Sequence, residues 1–276
     1  MIPAYRTATL AEVRTMLDWA AAEGWNPGLH DAEAFYATNP GGFFVAEVDG
    51  TLAAAISVVT HSDDFAFLGL YLCRPEYRGR GIGYSLWGHA LKQAVNRTVG
   101  LDGVPEQEAN YAKSGFVRTG RTRRYCGTLP ATRLSVPIAE VNDAETLIKL
   151  DHAANGYARR RFLETWTGQS DTRKTILLRR GDAMSGFATA RLCRQGCKIG
   201  PVVAPSVEDA FGLVQQAAAA LDQTDVIVDV PDHATGLTEV LRGAGFVETF
   251  STARMYRGTP PTVGETLHAI ATMELG

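Results

Sequence analysis

The stretch "RPEYRGRGIGYSLW", residues 74–87, places three glycines within five residues, with arginines beside them and an apolar segment at helical spacing directly behind. The run before it, "FAFLGLYLC", has the composition of a buried strand. When a strand enters a glycine-rich turn and then a helix, the unpaired amides of the first helical turn and the positive end of the helix dipole face any bound anion. The stretch therefore predicts a site for a ligand that carries phosphates.

Spacing separates the phosphate-binding motifs that share this geometry. The dinucleotide motif GxGxxG, counted from Gly79, needs a glycine at position 84, where the chain has Tyr84, and it also needs repeated βαβ units rather than the hairpins predicted here. The motif GxxxxGK[ST] is excluded because no lysine follows the glycines. The pattern [Q/R]xxGx[G/A] remains, and Arg78, Gly81 and Gly83 match it.

With this motif, the strand before it, and "TVGLD" and "NYAKSGF" behind it, the chain resembles the GNAT superfamily of N-acetyltransferases. The resemblance implies acetyl-coenzyme A as the acyl donor, with its pantetheine arm on the backbone of a bulged strand near Leu70 and Leu72. Glycines allow a backbone to approach a pyrophosphate closely. The implied pyrophosphate-binding residues are Arg78, Gly79, Arg80, Gly81, Ile82, Gly83 and Tyr84.

The same resemblance implies a general acid for the departing thiolate. Tyr111 precedes Gly115-Phe116 by four residues, which is where the family often has a catalytic tyrosine, and Asn110 beside it would hydrogen-bond the pantetheine. The alternative is that Tyr111 only packs its helix onto the sheet.

The general base stays open at this point. The family's frequent carboxylate on the strand before the loop is missing, because "LGLYLC" contains no acid. Asp102 after the next strand, His61, Asp63 and Asp64 near a turn, and a water chain are the alternatives. An amine that is already neutral needs no strong base.

The loop "GWNPGLHD" lies between the first two predicted helices, where such enzymes commonly close over the acceptor. Trp25, Asn26, His30 and Asp31 combine a flat apolar wall with polar groups, so we predict that they contact an amine-bearing acceptor. The alternative for Trp25 is that it packs two helices together.

The second half of the chain repeats the first. "GFVRTGRTRRYCG" and "GFVETFSTARMYRG" end two segments with the same predicted order of helices and strands, which indicates a duplicated domain. We predict an α+β fold of tandem GNAT-like domains, each a mostly antiparallel mixed sheet flanked by helices. The catalytic domain is residues 1–128, and a degenerate copy is residues 129–276, with "TLPATRLSVP" as the linker.

The second copy lacks the cofactor motif. Its corresponding turn, "GPVVAPSVEDAF", has Pro205, Glu208 and Asp209 instead of the glycine pattern, and Leu241 stands at the position equivalent to Tyr111. Carboxylates at a helix start repel a pyrophosphate. The tail "LHAIATMELG" is apolar enough to add a strand, and the arginine run at 159–161 is interpreted as a solvated face.

Composition and charge exclude several classes of binding partner. The formal net charge is −3, with 12 basic and 13 acidic residues before Pro130 and 15 and 17 after it, so neither half is a basic module for nucleic acid or anionic membranes. The four cysteines form no CxxC pair, and we expect neither a metal site nor a disulfide framework. With no signal core at the start and no long apolar run, we expect a cytoplasmic protein, for which a homodimer is possible.

The leading hypothesis is an acetyl-coenzyme A dependent N-acetyltransferase that acts on a primary amine of a small molecule or peptide. The alternative is a non-catalytic acyl-coenzyme A sensor or interaction module, which the missing strand carboxylate keeps open. Transfer of a longer acyl group is a third possibility, because acyl length depends on pocket depth.

Overall fold

One continuous sheet runs through both halves of the molecule. The computed structural model describes residues 2–276, and these form twelve strands in a single sheet with helices on both faces. The elements of the first half are β1 (Ala4–Thr7), α1 (Leu10–Ala22), α2 (Asp31–Thr38), β2 (Phe43–Val48), β3 (Thr51–Thr60), β4 (Phe65–Cys73), α3 (Ile82–Ala90), β5 (Thr98–Gly103), α4 (Glu108–Lys113) and β6 (Val117–Thr128).

The second half repeats this order from the linker onward. Its elements are α5 (Ala144–Asn155), α6 (Arg160–Trp166), β7 (Arg173–Arg180), β8 (Ala183–Leu192), β9 (Cys197–Val203), α7 (Val207–Ala219), β10 (Asp225–Pro231), α8 (Thr235–Gly243), β11 (Val247–Arg257) and β12 (Leu267–Ala269). The predicted α+β fold of two similar units, each a mostly antiparallel mixed sheet flanked by helices, is confirmed. The short elements β1 and α6 were not predicted from the sequence.

Local sequence accounts for several element boundaries. Thr9 caps α1 in a capping box with Glu12. Asp49 and Gly50 both have positive φ, 50° and 76°, which is the turn that a two-residue hairpin such as β2–β3 favours. Phe43 and Phe44, at the start of β2, are buried in the core.

The final strands of the two halves are exchanged. The sheet order is β1-β2-β3-β4-β5-β11-β6-β10-β9-β8-β7, so β11 pairs with β5 of the first half and β6 pairs with β10 of the second. Between them, β6 and β11 pair antiparallel with each other. The predicted domain boundary between residues 128 and 129 lies at the end of β6. It stays a prediction, because in the structure each half of the sheet contains the last strand of the other half.

The C-terminal segment returns to the centre of the molecule. β12 pairs with β9, which confirms the predicted added strand, and residues 267–276 are all buried. The segment continues across to the first half, where the Leu275 carbonyl accepts a hydrogen bond from His61 Nε2 at 2.7 Å. Arg159 donates to the Gly276 carbonyl and forms an ion pair of 2.6 Å with Asp151. The interpretation of residues 159–161 as a solvated face is therefore wrong for Arg159, which is buried.

Candidate active site

The glycine loop lies between β4 and α3, as the sequence predicts. Gly79 and Gly81 adopt the left-handed conformation, with φ of 74° and 76°, and Gly81 is the N-cap of α3. No heavy atom of the described chain lies within 4 Å of the place where a Cβ at either glycine would stand, and no side chain in residues 2–276 caps the helix start. The open space and the uncapped amides fit the pyrophosphate of an acyl-coenzyme A.

The two arginines of the loop have different surroundings. Arg78 donates from Nε to the Cys73 carbonyl at 2.9 Å and from Nη2 to Glu23 at 2.6 Å, so it ties the loop to the end of α1. Arg80 stacks over the Tyr77 ring, with its guanidinium carbon 5.7 Å from the ring centroid. Arg78 therefore shapes the loop through its contacts, and Arg80 supplies exposed positive charge to it.

A surface groove leads from the loop towards the interior of the molecule. Its lining includes Glu23, Leu72, Cys73, Ile82, Gly83 and Tyr84 together with Gly79 and Gly81. A more enclosed cavity lies beyond the groove, and both are lined by Trp25, Tyr71, Val104 and Gln107. We refer to the second space as the inner cavity; its remaining lining residues are Leu68, Gly69, Leu70, Leu101, Asp102, Tyr111, Arg124, Phe250, Thr252, Met273 and Glu274.

The inner cavity opens where β4 and β5 diverge. The two strands pair in parallel only from Phe65–Leu68 to Thr98–Leu101. Directly afterwards Leu70 has a φ of 46°, and the register between β3 and β4 shifts by one residue, which is a bulge at the predicted position. Beyond Leu68, the edge of β4 that faces β5 has no strand partner among the described residues, so its backbone is available to an extended ligand.

Tyr111 lies on α4 at the inner cavity. Its ring stacks on Trp87, with centroids 5.3 Å apart, and passes so close to Gly103 that a Cβ there would stand 2.5 Å from the ring. No hydrogen bond in residues 2–276 involves its hydroxyl group. Burial raises the pKa of Tyr111, and the neighbouring Tyr71 adds to this effect, so the phenol stays protonated at neutral pH.

Asn110, on the same helix, is exposed and donates to Gln107 at 2.9 Å. It lines neither the groove nor the inner cavity, so we leave it out of the site. Gln107 lines both the groove and the inner cavity. It was not predicted as a site residue from the sequence.

Asp102 is not free to act as a base. Its Oδ1 accepts hydrogen bonds from Thr122 at 3.1 Å and Thr252 at 3.0 Å, and its Oδ2 pairs with Arg254 at 2.6 Å. Burial raises its pKa, and the Arg254 charge opposes that rise. These three partners occupy the carboxylate, so its role in the structure is to join β5, β6 and β11.

The other predicted base candidates lie away from both spaces. Burial lowers the pKa of His61 to about 3, which keeps its ring neutral, and the ring packs among Phe65, Tyr157 and Phe162. Asp63 and Asp64 are exposed in the turn before β4. None of the three lines the groove or the inner cavity.

Of the four predicted acceptor residues, the structure brings only Trp25 to the cavity. The Asn26 side chain donates to the Gln195 carbonyl at 2.8 Å, and His30 shares a hydrogen bond of 2.7 Å with Thr172. Both partners belong to the second half. These side chains therefore join the halves and leave the acceptor site to other residues.

Asp31 is part of the same junction. It is fully buried, accepts from the Gly28 amide at 2.7 Å and pairs with Arg173 at 2.8 Å and Arg191 at 3.2 Å. A carboxylate with these partners is a structural ion pair, so the predicted contact between Asp31 and the acceptor is not supported.

Several lining residues come from the second half and were missed. Phe250 is on β11, and Met273 and Glu274 are in the C-terminal segment. Arg124, on β6, was missed as well; it pairs through two bonds of 2.7 and 2.8 Å with Asp229 of β10. The one available signal was the single acid in the apolar tail "LHAIATMELG".

The equivalent region of the second half is filled. Ser206 caps α7 by accepting from the Asp209 amide at 3.1 Å, and Asp209 pairs with Arg180 at 2.7 Å. The backbone of the tail closes the opening between β9 and β10, where Ile270 N donates to the Asp229 carbonyl at 3.0 Å. Leu241 is fully buried in the core.

Two further observations concern ligands and membranes. The described residues contain no cluster of His, Cys, Asp or Glu that would hold a metal ion. Among the helices of residues 2–276, none is both long and apolar enough to cross a membrane.

Two family models of acetyltransferases and one acyltransferase relative match this chain. The model of the acetyltransferase (GNAT) family matches residues 10–116, and that of an acetyltransferase (GNAT) domain matches residues 147–269. A holothin acyltransferase from Pseudoalteromonas sp. (strain SANK 73390) is 35% identical over 278 residues, which cover 98% of this chain and 94% of that protein.

Solved structures share the two-domain fold. A protein from Pyrococcus horikoshii superposes with a TM-score of 0.84 at 20% identity and covers 99% of this chain and 96% of its own. A tandem GNAT protein from the clavulanic acid biosynthesis pathway superposes with a TM-score of 0.61 at 15% identity, over 92% of this chain and 98% of its own. The family binds an acyl-coenzyme A and an acceptor. The chain therefore belongs to the GNAT acyltransferases, and it is an enzyme with two GNAT domains in tandem.

Proposed function

We propose that the protein is an acetyl-coenzyme A dependent N-acetyltransferase that acts on the primary amine of a small molecule. The observation that carries the proposal is that the groove at the glycine loop continues into the inner cavity. The groove begins at the uncapped amides of α3, and the inner cavity contains both the bulge at Leu70 and the phenol of Tyr111. Bound acetyl-coenzyme A would supply an acyl thioester.

Different residues of this chain would bind the acyl donor and transfer the proton. Amides from Gly79 to Tyr84 would hold the pyrophosphate, and the free edge of β4 near Leu70 and Leu72 would pair with the pantetheine arm. Tyr111 would give its proton to the sulfur as the sulfur leaves. A phenol that is protonated at neutral pH and has no internal partner suits that step.

The lining of the inner cavity supports a small acceptor. Trp25, Phe250 and Met273 form apolar walls, and the cavity is enclosed by both halves of the chain. The relative that is 35% identical is named a holothin acyltransferase, which also favours a small-molecule acceptor over a peptide.

The test is an acetylation assay on a chemically varied set of primary amines. Tyramine, tryptamine, spermidine, glucosamine and alaninamide would each be incubated with the protein and acetyl-coenzyme A, and release of free thiol would be measured beside the mass of the product. We expect at least one amine to gain the mass of one acetyl group, with thiol release that depends on that amine. Binding of acetyl-coenzyme A without acetylation of any amine would contradict the proposal and favour the sensor hypothesis.

A further inference from the structure

Glu274 reaches the inner cavity through a close contact with β4. A Cβ at Gly69 would stand 2.0 Å from the main-chain oxygen of Glu274, so only glycine at position 69 leaves room for the tail. Gly69 directly precedes Leu70, the bulged residue. The C-terminal segment therefore places Glu274 beside the part of β4 that we assign to the acyl donor.

The carboxylate of Glu274 has an oxygen with no donor. The residue is 4% exposed and lines the inner cavity together with Tyr111. Thr272 Oγ1 donates to Oε2, whereas no residue in 2–276 donates to Oε1. Oε1 is not among the fully buried polar atoms that lack a partner, so a ligand in the inner cavity can reach it and donate a hydrogen bond to it. An amine in the cavity would be such a donor.

The cations around Glu274 already have acceptors of their own. Arg124 is paired with Asp229, and Lys198 donates to the Trp25 carbonyl at 2.9 Å. Arg191 donates to the Ala271 carbonyl at 2.8 Å and pairs with Asp31. The Glu274 carboxylate therefore remains available to a ligand, although positive charges surround it.

The second carboxylate in the cavity does not compete. Asp102 also lines it, but two hydroxyl groups and Arg254 occupy both of its oxygens. Among the described residues that line the inner cavity, Glu274 is thus the one carboxylate with a free oxygen.

From these observations we infer that Glu274 is the general base, supplied to the first half by the C-terminal segment of the second; the inference rests on the proposed function. The bond between the acceptor nitrogen and the acyl carbon forms while the bond between that carbon and sulfur breaks. The amine proton goes to Glu274, and the proton of Tyr111 goes to the sulfur. Solvent then returns a proton to Tyr111 and takes one from Glu274, so the charges balance.

The experiment compares Glu274→Gln with the wild type in acetylation of the best acceptor among the five amines. Loss of a general base lowers turnover by about 100-fold or more, and we expect the affinity for acetyl-coenzyme A, measured by calorimetry, to stay the same. Glu265→Gln is the matched control, because Glu265 is an exposed carboxylate just before the C-terminal segment. It should retain wild-type turnover.

A second variant separates chemistry from packing. Glu274→Ala should regain activity when formate is added, because the small carboxylate replaces the missing base, and Glu274→Asp should retain part of the activity. Wild-type turnover in Glu274→Gln, or loss of acetyl-coenzyme A binding in it, would overturn the inference and leave the proposed function standing. A wild type that acetylates none of the amines would overturn the proposed function and this inference with it.

Discussion

The two halves of the molecule open their sheets in the same way and use the openings differently. In the first half β4 and β5 pair over four residues and then diverge around the inner cavity. In the second half β9 and β10 pair in parallel over three residues, and the tail then enters between them as β12 and Ile270. A splayed strand pair becomes a ligand site only if the chain itself leaves the gap open.

Corresponding glycines mark the two openings. A Cβ at Gly69 would stand 2.0 Å from the Glu274 oxygen, and a Cβ at Gly200 would stand 2.0 Å from the Ile270 oxygen. The register between β8 and β9 shifts beside Gly200, as that between β3 and β4 does beside Gly69, so the same tail touches both bulges. In the second half it supplies backbone hydrogen bonds that replace a ligand, and in the first it passes beside the cavity and lines its wall. The second half therefore has a structural role, because it holds the C-terminal segment that lines the inner cavity.

The largest expected effect comes from breaking the ion pair between the two openings. Asp229 holds Ile270 through its carbonyl and Arg124 through its carboxylate. In Asp229→Ala the buried Arg124 charge has no partner, so we expect a loss of about 3–5 kcal/mol in the free energy of unfolding. Urea denaturation measures this loss. Asp225→Ala, on the same strand but exposed, should cost about 1 kcal/mol or less, and equal losses in the two variants would contradict our account of the junction.

The second prediction concerns Tyr111, whose equivalent in the second half is Leu241. Tyr111→Phe should lower kcat by about 100-fold, which corresponds to about 2.7 kcal/mol, because the sulfur loses its proton donor. The affinity for acetyl-coenzyme A should not change. Tyr36→Phe removes a hydroxyl from a partly buried tyrosine that packs against Phe43, and it serves as the control. Full activity in Tyr111→Phe would leave that residue with a packing role only.

The smallest effect concerns how the tail is held against the first half. His61 donates to the Leu275 carbonyl, and burial lowers its pKa to about 3, against about 6.5 in an unfolded chain. The unfolded state therefore binds the extra proton first, so this contribution to stability is complete above pH 6.5 and is lost as the pH falls towards 3.

Between pH 7 and pH 5 the loss through His61 amounts to about 2 kcal/mol. Glutamine at this position can still donate to the Leu275 carbonyl but does not titrate. We therefore expect the wild type to lose about 2 kcal/mol more than His61→Gln over this interval in urea titrations. The same pH dependence in both proteins would show that folding does not lower the pKa of His61.

Local features of the first half could be predicted from the sequence. The apolar run of β4 ends where predicted, at Cys73. The glycines before α3 adopt left-handed backbone conformations, which is why the loop has glycine at these positions. These features depend on residues close together in the chain. The helix that carries Tyr111 was predicted from its own residues, whereas the bulge near Leu70 and the catalytic role of Tyr111 followed from the family resemblance.

Features that depend on distant pairing could not be predicted. β6 and β11 have similar sequences, so nothing local decides which neighbour each of them joins, and the strand exchange was missed. Asp31 looked available to a substrate because its partners, Arg173 and Arg191, lie more than 140 residues away. Glu274 was missed for the same reason, since its role depends on where the tail returns.

The most direct test of the central claim, that only the first opening binds the donor, is a calorimetric titration with acetyl-coenzyme A. Wild type, Gly81→Glu and Gly50→Glu would be compared, because Gly81 and Gly50 share a φ of 76° and open surroundings, so both variants impose similar backbone strain. We predict one cofactor per chain for the wild type and Gly50→Glu, and none for Gly81→Glu. Two cofactors per chain, or unchanged binding in Gly81→Glu, would contradict the claim.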